Sequence, residues 1–406
     1  MTTARNGTRH TGPGPVRLAD VATHAGVSPA TVSRVLNGNY PVAETTRHRV
    51  LRSVQDLGYV THGPAAALAA SSSDLLGVLV NDIADPFFGL LAGAVQQETG
   101  TGPDRKLAVV CNTAGAPERE LEYLTLLHRQ RATAVVLTGG TTEADTLRTA
   151  LATHLHRLAA TGTRIVQCGR PPLPPEHDDD DRPGNNARTG TDHHHRSHPG
   201  TGHDGTSHDR TGHDGTGILT VDFAHRNGAR RLTEHLTDLG HRRIGCLTGP
   251  PGRTTTTQRL AGHRDALTAR HPGPDPAADP GRLTVHAAYD RTSGYHGTLE
   301  LLRRDPHLTA VIAPNDTAAL GACAALRDQG LRIPHDVSVA GFDDLPCSAD
   351  AWPPLTTVRL PLTEAGTLAG RLALGRSPTP PGATVTLPTR LIVRASTAPP
   401  PPAHDR

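Results

Sequence analysis

The chain has 406 residues, enough for two or three domains that each bury a core, which excludes a single small module. Its formal net charge is only +2, but residues 1–60 carry seven arginines against Asp20, Glu44 and Asp56, a local excess of about +4, so the basic character is concentrated at the N-terminus. Five scattered cysteines (Cys111, Cys168, Cys246, Cys323 and Cys347) without CxxC spacing exclude a disulfide framework and a thiolate metal site. With no leader-like apolar segment and no run of 18 apolar residues, the chain reads as cytoplasmic with no membrane partner.

In VRLADVATHAGVS, Leu18, Val21, Ala22 and Ala25 recur at i, i+3, i+4 and i+7, which predicts a first helix that Gly26 ends. Ser28 suits an N-cap and Pro29 the first helical position, so a second helix starts at once and buries Val32, Val35 and Leu36. Two helices across a short glycine-containing turn make a helix-turn-helix. A third helix over about 44–57, burying Val50, Leu51, Val54 and Leu57, closes the unit. The other side of the second helix carries Thr31, Ser33, Arg34 and Asn37, small and hydroxylated except for one long cation. Such a face lets the backbone approach a duplex while Arg34 reaches a base edge. On these residues alone, a small helical bundle without a ligand is the alternative.

LADVATHAGVSPATVSRVLNG, followed by TRHRVLRSVQDLGY, resembles the DNA-binding headpiece of the LacI/GalR family of bacterial transcription regulators, and the resemblance continues through the chain apart from one insertion. It implies a second helix in the major groove, with Pro29, Ala30 and Arg34 at the base-reading positions. Ser28, Thr31, Ser33 and Asn37 join that surface as phosphate contacts or supports of the helix. Ala43 stands where the family often has a serine, so the third helix starts without a cap worth about 1 kcal/mol. The Ala-rich segment 61–73 is marginal as a helix alone in water. The resemblance implies a hinge that orders on operator DNA, with Leu68 wedged into the minor groove; Ala66 and Ala69 replace the basic residues common there, and a flexible linker is the alternative.

From residue 75 short apolar runs (LLGVLV, KLAVVC, AVVLTG, RIVQCG, RRIGCLTG, RLTVHA, AVIAPN, VSVAGF) alternate with helix-length segments, which indicates parallel sheets with crossover helices in two lobes over 74–398. Ligands bind beyond the carboxyl ends of strands in open α/β sheets, and NDIADPFFG, TGPPGRTTTTQRLAG, PND and GFDD all fall there. The resemblance implies an effector domain like the periplasmic sugar-binding proteins. Its small-molecule site, for a sugar, takes Phe87 and Phe88 as aromatic wall together with Arg259, Tyr289, Asn315 and Asp343. Each has a plainer reading: Phe88 as core, Arg259 with Asp343 as a structural ion pair, Asn315 as a turn former. Leu360 replaces a glutamine common in the family, which makes the cleft more apolar on that side. No GxSxG, HExxH, P-loop or GxGxxG after a strand occurs, so no catalytic residue and no cofactor are assigned.

Residues 171–217 hold eight histidines and eight aspartates with few apolar residues and repeat TGHDGT, a composition that predicts disorder. A floppy repeat chelates only weakly and unselectively, so no metal site is assigned, although a metal-binding protein using this tract is the rival reading. The residues 399–406 form a tail. With the resemblance, the expectation is a small all-α headpiece (1–60), a hinge (61–73) and a two-lobed α/β effector domain, a homodimer on double-stranded operator DNA.

Overall fold

A computed structural model describes residues 16–37, 41–59, 73–101, 105–173, 217–270 and 281–402. The hinge residues 61–72 with Leu68, and 174–216 of the His/Asp-rich insertion, lie outside the described residues. The chain divides into two compact units, one running to Asp74 and taking in Gln130–Ala132, the other holding the remainder.

The first unit packs α1 (Leu18–Ala25), α2 (Pro29–Asn37) and α3 (Glu44–Leu57) around Val21, Ala22, Ala25, Val32 and Val50. Gly26 takes the left-handed conformation at φ 62, which lets Val27 N–H donate to Ala22 O and turns the chain into α2. Ser28 Oγ accepts from Thr31 N–H at 3.2 Å and so caps α2. Leu51 departs from expectation: it is 39% exposed, because the buried stripe of α3 runs through Val50 and Ser53 and the residue after Val50 lies a quarter-turn outside it. Ser53 tolerates burial by donating to Arg49 O at 2.9 Å.

Helix α3 begins at Ala43 without a side-chain cap. Ala43→Ser is therefore expected to stabilise it by about 1 kcal/mol. Hydrogen exchange across α3 in the full-length chain should slow about fivefold, and unchanged exchange would show that the missing cap is compensated.

In the second unit, β1 (Leu75–Val80), β2 (Leu107–Asn112), β3 (Ala134–Thr138), β4 (Arg164–Cys168) and β5 (Ile218–Phe223) form one parallel sheet with α4 (Pro86–Gln97), α5 (Pro117–Arg129) and α6 (Asp145–Ala160) as crossovers. The chain then passes through α7 (His225–Asp238) into a second lobe. There α8 (Thr254–Arg270), α9 (Arg291–Arg304) and α10 (Asp316–Asp328) alternate with β6 (Ile244–Thr248), β7 (Thr284–His286), β8 (Ala310–Ile312) and β9 (Ser338–Asp343), followed by α11 (Pro346–Asp350) and β10 (Thr356–Arg359).

It returns through α12 (Leu362–Ala373) to add β11 (Thr384–Leu387) to the first sheet, and crosses again to add β12 (Arg390–Ile392) to the second. The strand orders are β11-β5-β4-β3-β1-β2 and β12-β10-β9-β8-β6-β7. Parallel pairing holds throughout except that β12 runs antiparallel to β10. Two of the crossings adjoin, since Ala224 N–H donates to Leu387 O at 3.0 Å, and at the other Leu360 N–H donates to Asp343 O, at the end of β9, at 3.3 Å. Three segments of chain crossing between two lobes make a hinge. Among the described residues no helix is long and apolar enough to cross a membrane.

Candidate functional site

The carboxyl ends of both sheets face a cavity of about 340 Å³. Asn81 and Asp85 follow β1, Phe87 and Phe88 open α4, and Gly139 and Gly140 follow β3 on the first lobe. Arg253 follows β6 on the second, where Tyr289 follows β7, Asn315 follows β8, Asp343 ends β9 and Arg259 reaches in from α8. Phe87, Phe88, Arg259, Tyr289, Asn315 and Asp343 are thus brought to one wall-lined space from positions up to 256 residues apart. Their convergence follows from topology, because every parallel strand presents its carboxyl end to the same side.

The centre of the second-lobe wall is the Arg259–Asp343 pair, 3.1 Å between Nη2 and Oδ1, with only 11% and 4% of the two side chains exposed. Arg259 also donates to the Pro314 carbonyl, stacks its guanidinium 3.8 Å over the Phe342 ring, and approaches His225 Nδ1 at 3.5 Å, while its buried Nε has no partner. Burial pushes the Asp343 carboxyl well above its usual range against the pull of Arg259, and the nearby Asp316 and Asp85 carboxylates push the same way. Burial, then Arg259, holds His225 well below the usual imidazole range, so it stays neutral. Asp343 sits at φ 106, a left-handed conformation that costs a non-glycine residue on the order of 1–3 kcal/mol and marks a position held by its surroundings.

Asn315 is a structural cap as well as wall: its Oδ1 accepts from Ala318 N–H at 2.9 Å at the start of α10, and its Nδ2 donates to Tyr289 O at 2.9 Å. Phe87 and Phe88 meet edge to face with centroids 4.9 Å apart, each 8% exposed, so they serve core and cavity together. Leu360 corrects the expectation placed on it. It is 3% exposed within the hydrophobic core and is not among the cavity-lining residues, because it sits at the crossing between β10 and α12 with its side chain packed inward.

Arg253, Asp85 and His225 also line the cavity and were not singled out in the sequence. Asp85 could have been, since Asp-Pro at a helix start predicts an N-cap, and its Oδ1 accepts from Phe87 N–H at 3.0 Å. Arg253 reaches from the second lobe to the first, donating to Gly140 O at 2.5 Å and Gly115 O at 3.3 Å. Around it Thr142 and Arg253 form an antiparallel bridge, Thr254 N–H donates to Thr141 O at 3.0 Å, and Thr257 Oγ1 donates to Glu143 at 2.8 Å. These bonds clasp the two lobes at the cavity.

In the first unit, α2 turns Val32 into the core and leaves Ser28, Pro29, Ala30 and Arg34 exposed, with Thr31 and Ser33 half-buried. Thr31 Oγ1 lies 2.9 Å from Ser28 Oγ, so its hydroxyl supports the cap. Asn37 is the last residue of α2. The exposed edge is thus small except for one arginine, and Arg17, Arg47, Arg49 and Arg52 are exposed on the same unit. Among the described residues no group of three or more His, Cys, Asp or Glu is placed to hold a metal ion.

Residues 17–62 match the family described as bacterial regulatory proteins, lacI family, and residues 233–397 match the periplasmic binding protein-like domain. The chain is 32% identical over 390 residues to the HTH-type transcriptional regulator GalR of Salmonella typhimurium, covering 94% of this chain and 96% of that protein. It is 32% identical over 400 residues to the HTH-type transcriptional regulator MalR of Streptomyces coelicolor, covering 96% and 99%. The crystal structure of the lac repressor dimer bound to operator and the anti-inducer ONPF superposes with a TM-score of 0.68 at 25% identity over 95% of this chain and 99% of that one. A complex of the transcriptional regulator CelR with cellobiose gives 0.58 at 28% identity over 94% and 99%.

Proposed function

The chain belongs to the lacI family of bacterial regulatory proteins, which are transcriptional regulators and not enzymes, and on that premise we propose that it is a ligand-controlled repressor. A homodimer would place the α2 of each headpiece in the major groove of a pseudo-palindromic operator, with Pro29, Ala30 and Arg34 at base edges and Leu68 of the hinge as a minor-groove wedge. A sugar in the cavity between the lobes would favour one lobe arrangement and so bias the DNA-binding state. The observation that carries the ligand half of this reading is the buried Arg259–Asp343 pair on the cavity wall, at the hinge where the chain crosses between lobes. A paired guanidinium and carboxylate present donors and acceptors together, which suits ring hydroxyls. The lac repressor structure with an anti-inducer and the CelR structure with cellobiose support it. No comparison supports the metal-binding alternative.

Coupling is reciprocal: the sugar and the operator must change each other's affinity by the same factor, and a sugar bound equally by both arrangements would switch nothing. The test is selection of bound sequences from a random duplex pool at one stated salt concentration. A two-fold symmetric site is expected to emerge, and Arg34→Ala should weaken it by about 1–3 kcal/mol while relaxing preference at one base of each half-site. No enrichment from a folded sample would refute the operator reading, and unchanged base preference in the variant would remove Arg34 from the groove.

A further inference from the structure

Each amide and guanidinium group on the cavity wall already bonds to the protein, with Nε alone among the nitrogens of the Arg259 guanidinium left without a partner, and the carboxylates outnumber the guanidinium groups and retain acceptor capacity. Arg253 donates to the Gly140 and Gly115 carbonyls, Arg259 to Asp343 and the Pro314 carbonyl, Asn315 to the Tyr289 carbonyl, and Asn81 to Gly140 O at 3.4 Å. On the acceptor side stand Asp82, Asp85, Asp290 and Asp343, four carboxylates against two guanidinium groups. An ionised carboxylate offers about four lone-pair positions. Asp82 and Asp85 each receive one backbone N–H, from Ala84 at 2.9 Å and Phe87 at 3.0 Å, and Asp290 receives Ser293 N–H at 2.7 Å and the Ser293 hydroxyl at 3.2 Å.

The helix ends add to this imbalance. A helix N-terminus facing a cavity ordinarily attracts an anion. Here α4 is capped by Asp85, α9 by Asp290 and α10 by Asn315, so the protein's own side chains occupy those positions.

We infer that the cavity selects a donor-rich polyol without negative charge, neutral or amino-substituted, and rejects phosphorylated and carboxylated analogues, with Asp82, Asp85 and Asp290 as the residues that set this preference. The inference rests on the small-ligand reading above and narrows it. A phosphate or carboxylate carries acceptors only, would meet acceptors, and would add negative charge to a site that already holds an excess of it, in surroundings where charges interact more strongly than in water. A ring hydroxyl or ammonium group instead supplies the donors that the carboxylates lack.

The test is calorimetric titration of the full-length protein with two matched series: glucose, glucosamine and glucose 6-phosphate, and galactose, galactosamine and galactose 6-phosphate. Within a series that binds, the phosphate ester is expected to be at least about 30-fold weaker than the neutral or amino sugar, a difference of about 2 kcal/mol. The triple variant Asp82→Asn, Asp85→Asn, Asp290→Asn should shrink that gap below about fivefold. Asparagine caps helices nearly as well as aspartate, so the fold should be retained, and the thermal midpoint checks this. A phosphate ester that binds as tightly as its parent overturns the inference and leaves the small-ligand reading standing, as does a gap that the triple variant does not narrow. Failure of every sugar to bind a folded, operator-competent sample overturns the sugar reading and the inference with it.

Discussion

Arg259→Met is expected to destabilise the protein by about 3–5 kcal/mol at neutral pH and to abolish the response to a sugar while leaving operator binding intact. Removing one partner of a buried ion pair leaves the other charge uncompensated, which is far costlier than the net worth of the pair. The Asp343 carboxylate would lose the hydrogen bond from Arg259 Nη2 and would keep the repulsion of Asp316 and Asp85 without the attraction of that cation. The sign with pH follows. The Asp343 carboxyl already lies well above 3.8, and loss of Arg259 raises it further. A carboxyl whose folded value exceeds its unfolded one binds more protons when folded, so its penalty grows as pH rises from about 4 and is relieved by acid. Urea unfolding should therefore show a smaller deficit at pH 5 than at pH 7.5. An equal deficit at both would assign the loss to the vacated volume beside Phe342. Adding Asp343→Asn to Arg259→Met should recover stability at neutral pH, because the uncompensated charge is gone.

Most of the fold was legible because its signals are local. Gly26 and Ser28-Pro29 mark the turn of the headpiece with conformational preferences that need no tertiary partner. Each cavity motif lies at the end of an apolar run, and a parallel sheet converts that local position into convergence. What was not legible is non-local. Leu360 stands in a segment whose side-chain directions are fixed by the crossing from β10 to α12, and a one-residue difference in direction moves a side chain from cavity to core. Arg253 is read only when Gly115 and Gly140 are seen across the cavity, 138 and 113 residues away in sequence. The short β11 and β12 escape because only Pro388 and Thr389 separate them, so they lack the helix-length segment whose alternation with apolar runs marks the equally short β7 and β8. Leu51 was misassigned by the reverse fault, a helical stripe read one residue too wide.

Gly321→Ala is expected to cost about 3 kcal/mol or more, although alanine is the better helix former by about 1 kcal/mol. In the second lobe α9 and α10 approach until backbone meets backbone. A methyl at Gly321 would overlap the Arg291 carbonyl oxygen and lie 2.8 Å from Tyr295 N, and one at Gly294 on the facing helix would overlap the Ala318 carbonyl. A flexible side chain could swing aside, but a helix backbone yields only if the whole element shifts. That shift would be felt along the buried Ala318, Ala319, Ala322 and Ala325, which leave no slack to absorb it. It would also displace Asn315, which caps α10 on the cavity wall, so the variant should bind a sugar more weakly even where it still folds. Gly89 in α4 gives the contrast, for nothing lies within 4 Å of the methyl it would gain, and Gly89→Ala should stabilise by up to about 1 kcal/mol. Urea midpoints for the two variants are thus expected on opposite sides of the parent. A Gly321→Ala protein as stable as the parent would mean that α9 and α10 stand further apart than backbone contact allows.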